Sequence, residues 1–152
     1  MSVESIAPVL FESVSAVTAT PSVELGTERV VAGEKYIYVH NCGTGSTGVG
    51  VGLIRPASAF AGLYSCSVSS ASGDMVVGFV KHATIPTLNY GWALTDGAVT
   101  VAISSSASSL AAGPVGVGAN GAVATHTIGY AVGQITTAIV SGNSGLLRVK
   151  IG

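Results

Sequence analysis

Two stretches of this chain put reactive or ligating residue types close together. In His40-Asn41-Cys42 an imidazole and a thiol stand two residues apart. A structural metal site needs about four such ligands. The other cysteine, Cys66, has no Cys-x-x-Cys spacing to supply them. Two buried structural thiols and no metal are therefore expected. The second stretch, Gly43-Thr44-Gly45-Ser46-Thr47-Gly48, has the form G-x-G-x-x-G. Such a loop cradles a pyrophosphate only where it opens a helix whose N-terminus faces the phosphates. Here Val49, Val51, further glycines and Pro56 oppose a helix, and no βαβ alternation surrounds them. A close-packed or flexible loop is expected, with no cofactor.

Gly142-Asn143-Ser144-Gly145 resembles the nucleophile loop of chymotrypsin-like serine proteases. His40, then Asp74 or Asp96, then Ser144 follow the His, Asp, Ser order of that family. The backbone around such a serine forms the oxyanion hole, hence its glycines. Only Gly145 to Gly152 follow the serine, too little to complete a second barrel and a substrate pocket. The same four residues between apolar runs also make an ordinary hairpin turn. His82 and His126 have no acidic partner at a fixed spacing, and Asp74 and Asp96 lie in unrelated stretches. No catalytic residues are assigned, and the chain is not expected to be an enzyme. Tyr90-Gly91-Trp92 carries the lone tryptophan, suited to packing in the core or at a subunit interface.

The elements that would position these residues must be built almost without charge. Only 9% of the 152 residues are charged, against 48% hydrophobic, and the difference is made up by Ser, Thr and 21 glycines. From Gly97 to Leu147 there is no Asp, Glu, Lys or Arg. Ordinary soluble domains are about 25% charged. Gly and Ser interrupt the run before any apolar block nears the ~20 residues of a membrane helix, so no membrane partner is expected. The net charge of −1 and six scattered basic residues give no basic groove, and no nucleic-acid partner is expected. A near-neutral surface favours association. The N-terminus lacks the basic region of a secretory leader, which points to synthesis in a cytoplasm.

Residues 1–22 read as an extended arm, and residues 23–152 as one body. Val9, Leu10 and Phe11 start an apolar run that could form a helix from Pro8 to Ala19, weakened by β-branched residues and by Pro8 and Pro21. In Lys35 to His40, Tyr36 and Tyr38 share one face and Ile37 and Val39 the other, after a hairpin turn at Ala32-Gly33-Glu34. Val49, Val51 and Leu53 alternate with Gly50 and Gly52, which predicts a strand closely crossed by another backbone. Arg55 to Ser65 could hold one helical turn. Cys66–Val68 with Met75–Val80, and Ile135–Val140 with Leu146–Ile151, read as strand pairs; Val99 to Ile103 alternates as a further strand, and Asn120-Gly121 supplies a tight turn. In the last strand Leu147, Val149 and Ile151 face one way, and Leu146, Arg148 and Lys150 the other. Short strands with frequent turns predict an all-β barrel or sandwich with little or no helix. Such sheets lack the charges that protect edges, so their edges are expected to be covered by other chains.

Several pieces in order resemble the capsid decoration, or cement, proteins of tailed bacteriophages. They are Glu24-Leu25-Gly26-Thr27-Glu28-Arg29-Val30, then Gly33-Glu34-Lys35-Tyr36-Ile37-Tyr38-Val39, then Tyr90-Gly91-Trp92-Ala93-Leu94. Ala111-Ala112-Gly113 leads to Asn120-Gly121-Ala122-Val123, and Ile128-Gly129-Tyr130-Ala131 precedes Leu147-Arg148-Val149-Lys150-Ile151. The resemblance implies a small β-tulip-like barrel or sandwich, usually a homotrimer, on the outer capsid surface. It would clamp neighbouring major capsid protein subunits against internal DNA pressure. Val9, Leu10, Phe11, Tyr90 and Trp92 are the interface candidates, and deletion of residues 1–22 is expected to leave a folded body that no longer binds the shell. The runner-up is a carbohydrate-binding capsid or tail appendage that stacks sugars on Trp92 and the tyrosines.

Overall fold

The computed structural model describes residues 13–54, 64–68, 76–103, 109–125, 131–140 and 144–151. Val9, Leu10, Phe11, Asp74, His126, Asn143 and nearly all of the possible helical turn at 55–65 lie outside the described residues. The strands are β1 (Glu28–Val31), β2 (Glu34–Asn41), β3 (Gly52–Ile54), β4 (Ser65–Val68), β5 (Val76–Val80) and β6 (Tyr90–Ala102). They continue with β7 (Ser109–Leu110), β8 (Gly113–Val117), β9 (Val123–Thr125), β10 (Gly133–Ile135), β11 (Ile139–Val140) and β12 (Ser144–Lys150). No regular helix occurs among the described residues; Ala119–Gly121 is a tight turn in which Asn120 and Gly121 both have positive φ (59° and 68°). The fold is all-β, as expected from the turn-punctuated apolar pattern.

Pairing runs β2–β4–β3–β5–β6, and β6 pairs back onto β2, so five strands form a ring. The two faces of β2 now acquire separate roles. Ile37 and Val39 point into the ring with Leu53, Cys66, Val80, Ile85 and Ala93. A five-stranded bore is narrow, since barrel diameter grows with strand number. Small residues accordingly line it: a Cβ on Gly78 would lie 2.8 Å from that of Ala93, and one on Gly91 would lie 2.8 Å from Ile85 Cδ1.

Tyr36, Tyr38, Phe79, Trp92 and Leu94 point outward from the ring into a second, larger core. That core is roofed by a sheet growing from the far half of β6, in the order β6-β12-β10-β8-β9. Its apolar face supplies Val99, Val101, Val115, Val117, Ile135, Leu147 and Val149. One irregularity lets a single strand serve both structures. Lys35 pairs with Asp96, but Tyr36 pairs with Leu94, so β6 carries a bulge at Thr95. Trp92 and Leu94 face the core before it; Val99 and Val101, of opposite parity, face the core after it.

The roof returns over β3. A Cβ on Gly52 would lie 2.9 Å from Val117, and one on Gly50 would lie 2.6 Å from the Thr100 carbonyl oxygen. This is the close backbone crossing predicted from the Val/Gly alternation. The turns are as expected: Ala32 and Gly33 both have positive φ (51° and 81°), and Val31 pairs with Glu34 in a two-residue hairpin.

Three expectations are corrected. Cys66–Val68 and the strand ending at Val80 are not partners; β3 lies between them and pairs with both. Ile135–Val140 is not one strand. It bends after Ile135, so that β10 pairs with β12 while β11 pairs with β7. Residues 13–19 do not continue a helix, because Thr18 is held in an antiparallel bridge with Tyr90.

Candidate functional site

The residues singled out for chemistry are kept apart by the strands that carry them. His40 pairs with Tyr90 at the start of β6, and Ser144 pairs with Ala102 at its end. Twelve strand steps of ~3.3 Å place about 40 Å of β6 between them. Asp96 sits midway, opposite Lys35 and Lys150. These residues form no triad. His40 instead stacks on Tyr90, with ring centroids 4.5 Å apart.

The glycine-rich loop is a packed turn rather than a phosphate cradle. Buried Asn41 accepts from the Gly43 N–H at 3.0 Å, and its amide donates to the carbonyls of Gly45 and Ile85, both at 2.9 Å. Thr47 is also buried and donates twice to Ile85 O. A cavity of about 580 Å³ borders this loop, lined by Cys42, Ser67 and Val68 among others, and no helix begins there. Both cysteines are free. Cys42 Sγ donates to Cys66 O at 3.2 Å, while Cys66 faces the bore, where burial pushes its thiol up to about 12. No group of three or more metal-ligating side chains occurs among the described residues.

Trp92 and Tyr90 were the described interface candidates, and both are engaged within the chain. Trp92 is only 5% exposed, tilted against Tyr38 at 5.0 Å between centroids, so it offers no stacking platform to a sugar. Its indole Nε1 is buried without a partner among the described residues. Tyr90 lies between Tyr38 and His40.

What sequence reasoning missed is the fastening of the N-terminal segment around Tyr38. Thr18 and Tyr90 exchange two backbone hydrogen bonds, at 3.0 and 2.8 Å. The Tyr38 hydroxyl accepts from Ser22 N at 3.2 Å and Ser22 Oγ at 3.0 Å, and lies 3.2 Å from Thr18 Oγ1. Val17 packs against the bore residues and Val14 against the outer core. Residues 13–22 thus pack onto the chain's own body, with one β-bridge at Thr18. The signal was available in the alternation of Thr18, Thr20 and Ser22 opposite a buried tyrosine, but nothing in the sequence identified the tyrosine.

A second missed cluster closes the mouth of the ring. Glu34 receives Lys81 Nζ at 2.6 Å, the Tyr36 hydroxyl at 2.7 Å and the Ala98 N–H at 3.1 Å. The Tyr36 proton is committed to Glu34, so His82 Nε2, 2.9 Å away, donates to the Tyr36 oxygen. Gly97 is required beside it, because a Cβ there would lie 2.8 Å from Glu34 Oε1. Burial opposes ionisation of Glu34, yet the hydrogen bonds from Lys81, Tyr36 and Ala98 and the charge of Lys81 hold its carboxyl down at about 2, against an ordinary 4.5. Burial, then the neighbouring Glu34, pushes the Tyr36 hydroxyl well above its usual value. The cluster ties the starts of β2 and β6's far half to the segment after β5.

A carboxyl lowered on folding stabilises above its unfolded value and loses that contribution as pH falls toward the folded one. The expected loss between pH 4.5 and about 2 is roughly 2 kcal/mol, after a discount because Glu34 stays 23% exposed. Urea midpoints at about pH 6 and about pH 2.5 measure it. Glu34→Gln is expected to show a much smaller acid-induced drop; an equal drop would assign the acid loss elsewhere.

Neither a protein-family model nor a curated protein sequence matches this chain.

Proposed function

We propose that this protein is a structural virion component, a decoration protein that binds the outside of an icosahedral phage head as a homo-oligomer, expected to be a trimer. In this role it has no catalytic activity. It bridges neighbouring major capsid protein subunits and resists the pressure of packaged DNA. The observation that carries the reading is the distribution of the missing charge. From Gly97 to Leu147 the chain is free of Asp, Glu, Lys and Arg, so that outward positions of the roof sheet are uncharged up to Arg148 and Lys150 at the end of β12. Interface cores are depleted of charged residues in this way. Large aliphatic side chains also stand in the open: Val30, Val49, Leu88, Val140 and Leu146 are all more than half exposed. A repeated lattice multiplies the modest contacts that such a surface makes. The sequence resemblance to decoration proteins supports the same role.

The sugar-binding reading loses its main support, since Trp92 is enclosed by its own chain. The test is cosedimentation of the purified protein with expanded, undecorated heads of the virus that encodes it. Saturable binding at a fixed ratio to the major capsid protein is expected, together with heads that withstand heating better. Protein left wholly in the supernatant would count against the role.

A further inference from the structure

We propose that the outward face of β12 is where a second copy of this chain docks, presenting its edge strand β1. The proposal rests on the reading of the protein as a homo-oligomer and identifies the surfaces that join the copies.

The described basic side chains divide sharply. Lys35 and Lys81 are ion-paired with Glu28 and Glu34, and Arg29 has a partner as well. Arg148 and Lys150 have no ion-pair partner among the described residues, and they stand two residues apart on the exposed side of β12. Leu146, 56% exposed, precedes them on the same side. Next to this row in register are Ala98, Thr100, Gln134 and Pro114, all uncharged. Asp96, opposite Lys150 and Lys35, is the described carboxylate at its border. The result is a low surface with one apolar side chain beside two cations.

Strand β1 carries the complement. It is the terminal strand of the sheet, and its Glu28 and Val30 are two residues apart, with the Glu28 side chain 55% and Val30 68% exposed. Alternate residues on a strand are spaced ~6.8 Å, so Val30 can meet Leu146 while Glu28 meets Arg148. The ion pair that Glu28 makes with Lys35 joins two exposed groups and is readily exchanged. Arg148 and a carboxylate also suit bidentate contact.

The roof's outward face, five strands of three to seven residues, spans roughly 380 Å², near half of the ~800 Å² per partner of a standard interface. One such contact is weak. Because its two halves are different patches of one chain, copies join head to tail, and closing a ring lets every copy use both patches.

Sedimentation equilibrium over a wide concentration range tests this on the full chain. Wild type is expected to be oligomeric. Arg148→Glu and Glu28→Arg are each expected to weaken association at least tenfold, and the double exchange to recover it to within about threefold, as charge pairs across an interface do. Leu146→Ser should weaken it too, while Leu88→Ser, at a 64% exposed site elsewhere, should not. Matching thermal midpoints establish that the variants fold; should Arg148→Glu not fold, Arg148→Ala and weakening by salt take its place. An oligomer indifferent to Arg148 variants overturns this interface and leaves the homo-oligomer reading standing. A monomeric wild type overturns both.

Discussion

A chain lacking residues 1–22 is expected to be less stable than one lacking residues 1–12 by about 4 kcal/mol. The shorter deletion keeps every contact of the segment from Ser13 onward; the longer one removes them together. Loss of Ser22 and Thr18 strips the fully buried Tyr38 hydroxyl of its hydrogen-bond partners. Each such hydrogen bond contributes ~0.5–1.5 kcal/mol net. Loss of Val17 uncovers the bore at Ile85 and Gly91, a burial of ~1.5 kcal/mol. The two backbone bonds to Tyr90 add ~1 kcal/mol net. Urea denaturation of the two truncated proteins measures the difference, and midpoints that coincide would mean the segment lies on the body without supporting it. On this expectation, a truncation meant to probe shell binding alone should stop at residue 12.

Gly133→Ala is expected to cost about 3 kcal/mol or more and to unzip the outer half of the roof. Gly133 lies between β12 and β8, opposite Val149 and Val115. A Cβ there would stand 2.2 Å from the Arg148 carbonyl oxygen and 3.0 Å from Val149 Cα, both backbone. Backbone cannot swing aside as a side-chain tip can, so the two strands must separate or shift register. Gly45→Ala is the control, because nothing lies within 4 Å of a Cβ at that position. A Gly133→Ala protein as stable as Gly45→Ala would show that the roof strands are not so closely paired.

How much of this was legible in the sequence depends on the range of the interaction. The two faces of β2 and the last strand's burial could be read directly, because alternation is local and each face meets a different core. The Gly50 and Gly52 crossing was legible for the same reason. The order of strands was not. β3 inserts between β4 and β5 because Leu53 completes the bore with Cys66 and Val80, and no local pattern announces that. The bulge at Thr95 hid the true role of β6, since its core residues change parity halfway along. Trp92 read as packing in the core or at a subunit interface, since its type suits both, and it lies in the outer core. In the Glu34 cluster, Glu34 and Tyr36 share a strand face, but Lys81, His82 and Ala98 arrive through the ring closure. The same holds for chemistry: His40, Asp96 and Ser144 follow a suggestive order in sequence, and one long strand holds them apart.

A density map of the intact virus particle most directly tests the central claim, that this weakly charged barrel and its roof exist to be joined to other chains. The account predicts density on the outer face of the head at three-fold or quasi-three-fold positions, into which copies of this fold fit with the β12 face turned toward a neighbouring copy. A shell whose outer density is fully accounted for by other proteins, with this chain absent from it, would contradict the account.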